Sequence, residues 1–258
     1  MADGDIVLIG IGEIGGVLAQ GFLRLGRSVH PVNRQTDMDA LARRIAEPAL
    51  TVVAVGENDL QPVLARIPES WRSHLCLLQN ELLPNDWQGI RQPTVASIWF
   101  EKKPGIEPKV IMPSPVYGPR AELFSRALNA VGIPCAMLDS EPALLEALVV
   151  KNLYILTSNI AGLRTGGTVG ELWRDHRDFT TRVATEVIRL QEALTGKSFD
   201  HAGLIERMLE AFAGDPDHRC MGRSAPARLA RALAHAHELG IELPLLRELQ
   251  AESTVPQT

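Results

Sequence analysis

Ile6-Val7-Leu8-Ile9-Gly10-Ile11-Gly12-Glu13-Ile14-Gly15 decides how the rest of the chain is read. Four apolar residues predict a buried strand, and a helical pattern runs on from the turn to Leu25. Between them stands G-x-G-x-x-G, in the order a dinucleotide-binding unit needs. Gly10 can take the backbone angles of a tight turn, and Gly12 has no side chain to block a pyrophosphate. Gly15 lets the new helix pack close to the strand. The helix's free N–H groups and positive dipole end then face the phosphates. Gly10, Ile11, Gly12, Glu13, Ile14 and Gly15 are therefore candidate cofactor-binding residues. Glu13 is discordant, a carboxylate close to where a doubly negative pyrophosphate would sit. It either points to solvent, complements the helix dipole or weakens binding.

Ser28-Val29-His30-Pro31-Val32-Asn33-Arg34 reads as the second strand, ending where a ribose would lie. NAD-specific units place an Asp or Glu there to hold the 2′-hydroxyl. Asn33 and Arg34 stand there instead. A guanidinium can hold a 2′-phosphate through two hydrogen bonds, so the expected cofactor is NADP(H).

The 258 residues carry a net charge of −5, with 45% hydrophobic and 22% charged residues, a soluble globular profile. The acidic balance argues against a nucleic-acid partner. The longest apolar stretch, Ala143 to Leu156, is interrupted by Glu146 and Lys151, so no membrane span is expected. The chain enters a core strand almost at once, which predicts no cleaved signal. Cys76, Cys135 and Cys220 are scattered and odd in number, which predicts no disulfide framework and a cytoplasmic location. No metal-ligand spacing is present, and no metal is expected.

Strand and helix signals alternate through the first half, predicting a parallel doubly wound sheet. Thr51 to Val55 is a strand ending at Gly56, so Val55 and Gly56 join the candidate cofactor residues. Further strands are expected at Leu75 to Leu78, Pro93 to Phe100, Lys109 to Met112 and Cys135 to Leu138. Pro113-Ser114-Pro115 and Gly118-Pro119 read as loops. From Glu141 long helical periodicities take over: Glu141 to Gly162, Val169 to Leu194, His201 to Phe212, Ala225 to Leu239, and a short tail from Leu243. The expected organisation is a Rossmann NADP-binding domain over residues 1–140 and an all-α substrate or dimerisation domain over 141–258. The helical half has enough apolar surface for a homodimer.

The glycine turn, Asn33-Arg34, Gln79-Asn80 and the run from Leu148 through Lys151 to Asn159 resemble the ketopantoate reductase (2-dehydropantoate 2-reductase) family in order and spacing. The resemblance implies a Rossmann domain, a helical domain and NADPH-dependent reduction of an α-keto acid. It also implies Lys151 as general acid, Asn80 at the nicotinamide end or the substrate, and Asn159 in the substrate pocket. The residues support Lys151 separately. Hydride addition to a ketone creates an alkoxide, which needs a proton and a nearby positive charge. Lys151 interrupts an apolar helical stretch, and burial lowers a lysine's pKa towards the useful range. The alternative is a lysine snorkelling at a helix edge.

The substrate half departs from that family. It usually has Gly where Glu81 stands, Lys where Gly56 stands and Asn where Ile155 stands. A Ser-Ser-Met run becomes Arg219-Cys220-Met221, and Ser224 falls where a substrate-binding Glu is usual. Such losses are costly in a site built to hydrogen-bond its substrate. The expected substrate is therefore a small carbonyl or 2-hydroxy acid other than ketopantoate. The alternative is a catalytically silent NADP(H)-binding sensor. Arg219 and Arg223 read as solvated loop residues able to pair with a carboxylate, and Cys220 reads as inert packing.

Overall fold

The computed structural model describes residues 4–254, which divide into two compact units between Leu148 and Val149. The division lies eight residues beyond the change of character at 140/141, inside the long helix that begins at Glu141.

The first unit is an α/β sandwich. Its strands are β1 (Ile6–Ile9), β2 (Val29–Val32), β3 (Leu50–Val53), β4 (Leu75–Leu77), β5 (Thr94–Ala96), β6 (Phe100–Glu101), β7 (Lys109–Val110), β8 (Ser114–Tyr117) and β9 (Cys135–Met137). Seven form one sheet in the order β2-β1-β3-β4-β5-β8-β9, and β6 and β7 form a separate hairpin. β1 is buried throughout, as its four apolar residues require of a central strand. The strand order reverses beside β1, where the chain passes first to one side and then to the other. Such a switch point opens a crevice at the strands' carboxyl ends.

The helices here are α1 (Glu13–Arg24), α2 (Met38–Arg44), α3 (Leu60–Leu64) and α4 (Ala121–Ala130). α1 presents Val17, Leu18, Gly21 and Phe22 to the interior, a 3.6-residue stripe. A side chain at Gly21 would strike the carbonyl of Ala127, so this glycine sets how closely α1 meets α4. Phe22 and Phe124 are fully buried beside it.

The sheet is not wholly parallel. Pro113-Ser114-Pro115, expected as a loop, opens β8, which runs antiparallel to β5 and parallel to β9. A proline lacks only the donor. The Pro115 carbonyl still accepts from Ser97 N at 2.8 Å, and the Ser114 hydroxyl accepts from Trp99 N at 2.9 Å. The reversal follows because the β6–β7 hairpin, rather than a crossover helix, connects β5 to β8.

The second unit is helical. α5 (Glu141–Thr165) enters it, followed by α6 (Val169–Asp175), α7 (Arg177–Thr195), α8 (His201–Gly214), α9 (Ala225–Glu238) and α10 (Pro244–Thr254). The single helix expected over Val169 to Leu194 is two, broken at His176, whose φ of −133° and ψ of 35° leave the helical region. The short tail from Leu243 is an 11-residue helix. α5 is long and apolar enough to cross a membrane by composition alone, yet 83% of its most apolar window is buried inside the protein.

Glu186 on α7 is buried and accepts hydrogen bonds from Leu245 N and Leu246 N, each 3.0 Å, at the start of α10. The carboxylate satisfies orphan amides and complements the helix dipole. Glu186→Ala should lower the unfolding free energy by about 1.5–3 kcal/mol, the range for hydrogen bonds to charged groups, in urea denaturation. A loss below about 0.5 kcal/mol would mean that apolar packing alone holds α10.

Candidate functional site

In the first unit the glycine turn is closed on one side by backbone and open on the other. Gly10 has a φ of 92°, and a side chain there would lie 2.6 Å from the Ala54 carbonyl oxygen. A side chain at Gly15 would collide with the Gly10 carbonyl. Gly12, by contrast, has nothing within 4 Å of where its Cβ would be. The turn is thus tight where backbone meets backbone and open where a ligand would approach. The residues fit a dinucleotide.

A cavity of about 650 Å³ extends from that turn. It brings together Gly10, Ile11, Gly12, Asn33, Arg34 and Val55 from three strand ends. Glu13, Ile14, Gly15 and Gly56 do not line it. Asn33 shapes the turn after β2: its Oδ1 accepts from Gln35 N at 2.8 Å and from the Thr36 hydroxyl at 3.2 Å. Arg34 stands almost fully exposed, 3.8 Å from the Asp59 carboxylate. The cavity also holds Arg66, which the sequence reading passed over. It follows α3 as an ordinary-looking surface cation, and only the fold brings it to the wall that Arg34 occupies.

Gln79 and Asn80 have different roles. Gln79 is buried, and its Nε2 donates to the carbonyls of Val53 at 2.6 Å and Val55 at 3.2 Å, fastening the end of β3. Asn80 lies in the turn beyond β4, half-buried. Glu81 follows with a φ of 62°, the left-handed region that favours glycine.

In the second unit, Lys151 has a singular place on α5. From Ala147 to Gly162 every other residue is buried, and only Lys151 keeps partial exposure. Burial, and then the positive charge of Arg228, pull its pKa from 10.5 to about 7. Its Nζ stands 5.5 Å from the centre of the Tyr154 ring, which packs edge-on to Phe212 at 5.6 Å. Asn159 is buried two turns along, and Arg228 Nη1 donates to its Oδ1 at 3.0 Å. Ile155, one turn from Lys151, is buried and offers no polar group.

Arg228 is the second residue the sequence reading missed. It lies on the buried face of α9 with Ala225, Leu229, Ala232 and Ala236. The spacing i, i+3, i+4, i+7 was legible, and a cation on that stripe is the same signal that marked Lys151. Arg219 and Arg223, the arginines that were singled out, are exposed. Cys220 is fully buried, and burial pushes its thiol up to about 12, so it is inert. Ser224 is the N-terminal cap position of α9.

A Rossmann-type sheet is followed by a helical unit whose first long helix carries the partly exposed Lys151. No family model matches the chain, and no curated protein matches its sequence. Solved structures match its fold. The 2-dehydropantoate 2-reductase of Methylococcus capsulatus is 12% identical, with 98% of this chain and 99% of that chain covered and a TM-score of 0.70. The 2-dehydropantoate 2-reductase of Geobacter metallireducens GS-15 is 16% identical, covered 97% and 100%, with a TM-score of 0.66. A D-mandelate dehydrogenase, solved with NADH and anilino(oxo)acetate, is 11% identical, covered 96% and 98%, with a TM-score of 0.66. The chain has the fold of the ketopantoate reductases, over nearly its whole length.

Proposed function

We propose that this protein is an NADP(H)-dependent oxidoreductase that reduces a small α-keto acid or related carbonyl, with Lys151 as the general acid. The observation that carries the reading is Lys151: the one accessible point of a buried helical stretch, poised to exchange a proton near neutral pH. The solved structures of like fold support the class, since they are 2-dehydropantoate 2-reductases and a D-mandelate dehydrogenase.

The first unit takes the cofactor and the second the substrate. The open face at Gly12 accommodates the pyrophosphate, while Arg34 and Arg66 supply the positive wall for a 2′-phosphate. Bound NADPH would supply the hydride. Lys151 gives its proton to the carbonyl oxygen as that oxygen becomes an alkoxide. Arg228 holds the substrate carboxylate, with its guanidinium fixed by Asn159. Asn80 binds the nicotinamide end or the substrate.

Titration of NADPH and NADH against the fluorescence of the four tryptophans tests the cofactor. NADPH is expected to bind below millimolar concentration and more tightly than NADH, and no binding of either would end the proposal. A panel of α-keto acids with NADPH tests the chemistry. Arg228→Met should raise KM for a keto acid about tenfold or more, the cost of one charged hydrogen-bonded contact, and leave NADPH binding unchanged. Equal KM for both proteins would remove Arg228 from the substrate. The second reading, a silent NADP(H) sensor, is favoured by Ile155, which closes with an apolar side chain a position one turn from Lys151. NADPH that binds and is never consumed across the panel would establish it.

A further inference from the structure

Glu13 places a carboxylate at the first residue of α1, beside the open side of Gly12. A diphosphate arriving there meets a negative charge. The fold answers this charge with a residue far away in the sequence. Lys102 Nζ lies 3.4 Å from Glu13 Oε2.

Lys102 sits where β6 ends, in the hairpin that follows β5. β5 runs parallel to β1 through β3 and β4, so the hairpin rises at the carboxyl end of the sheet, where the glycine turn also lies. The ammonium is held from two sides. It donates to the Lys103 carbonyl at 2.8 Å, and Glu13 draws it towards the turn. Its side chain is only 20% exposed, against 44% for Glu13, so the lysine is the better anchored partner. The next cation, Lys103, is turned to Glu101 at 3.1 Å and is spent there.

We propose that Lys102 is the phosphate-binding cation of the nucleotide site, held over the glycine turn by Glu13. This rests on the dinucleotide reading of the first unit. An ammonium carries three donors, of which the Lys103 carbonyl and Glu13 take two. The third is left for a phosphate oxygen, and Glu13 then balances Lys102 rather than opposing the ligand.

The test compares ligands with and without a diphosphate. NADPH and adenosine 2′-phosphate are titrated by calorimetry against the wild type, Lys102→Met and the double variant Lys102→Met/Glu13→Gln. Lys102→Met should weaken NADPH about tenfold or more, the cost of one charge-assisted bond, and leave adenosine 2′-phosphate within twofold. Adding Glu13→Gln should recover at least threefold, because the exposed repulsion is gone. Unchanged NADPH affinity in Lys102→Met overturns the proposal. So does an equal loss for both ligands, which would make the lysine a strut of the hairpin. Inorganic pyrophosphate separates this proposal from the reading beneath it. Binding of pyrophosphate that needs Lys102, with no binding of NADPH or NADH, would keep the cation and remove the dinucleotide. Binding of none of these to the wild type removes both.

Discussion

Lys151→Ala is expected to lower kcat for the keto-acid substrate by about 10²–10⁴-fold while the Kd for NADPH stays within twofold. The pH profile carries the sharper information. Burial and Arg228 hold Lys151 at about 7, so the proton donor is present below that pH and lost above it. Reduction should therefore be flat at low pH and fall tenfold per unit above about pH 7, while oxidation of the 2-hydroxy acid should rise through the same range. Arg228→Met removes the second-largest influence and should move both limbs to higher pH. A variant at Lys151 that keeps more than a tenth of the wild-type rate would take the acid role away from it.

The same pKa fixes a stability prediction. In the unfolded chain Lys151 returns to 10.5, so between about 7 and 10.5 the unfolded state binds the extra proton. Stability then rises with pH across that window, and the cost of the buried ammonium is fully present below it. Lys151→Met should raise Tm, more at pH 6 than at pH 9. A more stable and inactive variant is what a functional lysine leaves behind.

Gly12→Val is expected to weaken NADPH about 100-fold or more with Tm unchanged. The backbone there has a φ of −74°, which any residue adopts, and the space around it is empty. The new side chain would fill only the open space where the proposed site takes a phosphate. Gly15→Val should behave in the opposite way, since its Cβ would collide with the Gly10 carbonyl. That variant should lose stability first, seen as a lower urea midpoint, and lose binding only in consequence. If Gly12→Val binds NADPH as the wild type does, the turn is not a phosphate site.

These two glycines also show why part of the protein was legible from its sequence. The turn's geometry depends on side chains being absent, and absence is visible in a string of letters. Lys151 was legible because a charge broke an apolar run. Arg228 carries the same signal but sits in an Arg- and Ala-rich helix, where exposed cations are ordinary and one buried cation does not stand out. Arg66 and Lys102 gave no local signal at all, because only the fold brings Arg66 to the cavity that Arg34 lines and Lys102 to Glu13 at the start of α1. The segment that forms β8 reads as a loop because Pro113 before it and Pro115 within it are punctuation in most contexts. Here a serine hydroxyl and a proline carbonyl carry the pairing that a proline nitrogen cannot. Glu81 marks the other limit, a residue in a conformation suited to glycine that composition alone cannot reveal.

The turn at Gly10–Gly15 is defined by main-chain atoms, and the polar cluster of the helical unit, Lys151, Asn159 and Arg228, by side chains. That contrast sets two tolerances to substitution. A grip made of amide groups survives almost any exchange of neighbouring residues, provided three small positions stay small. A cluster of side chains is altered by any single substitution within it. The two units therefore differ in what a substitution can change: main-chain geometry in the first, side-chain chemistry in the second.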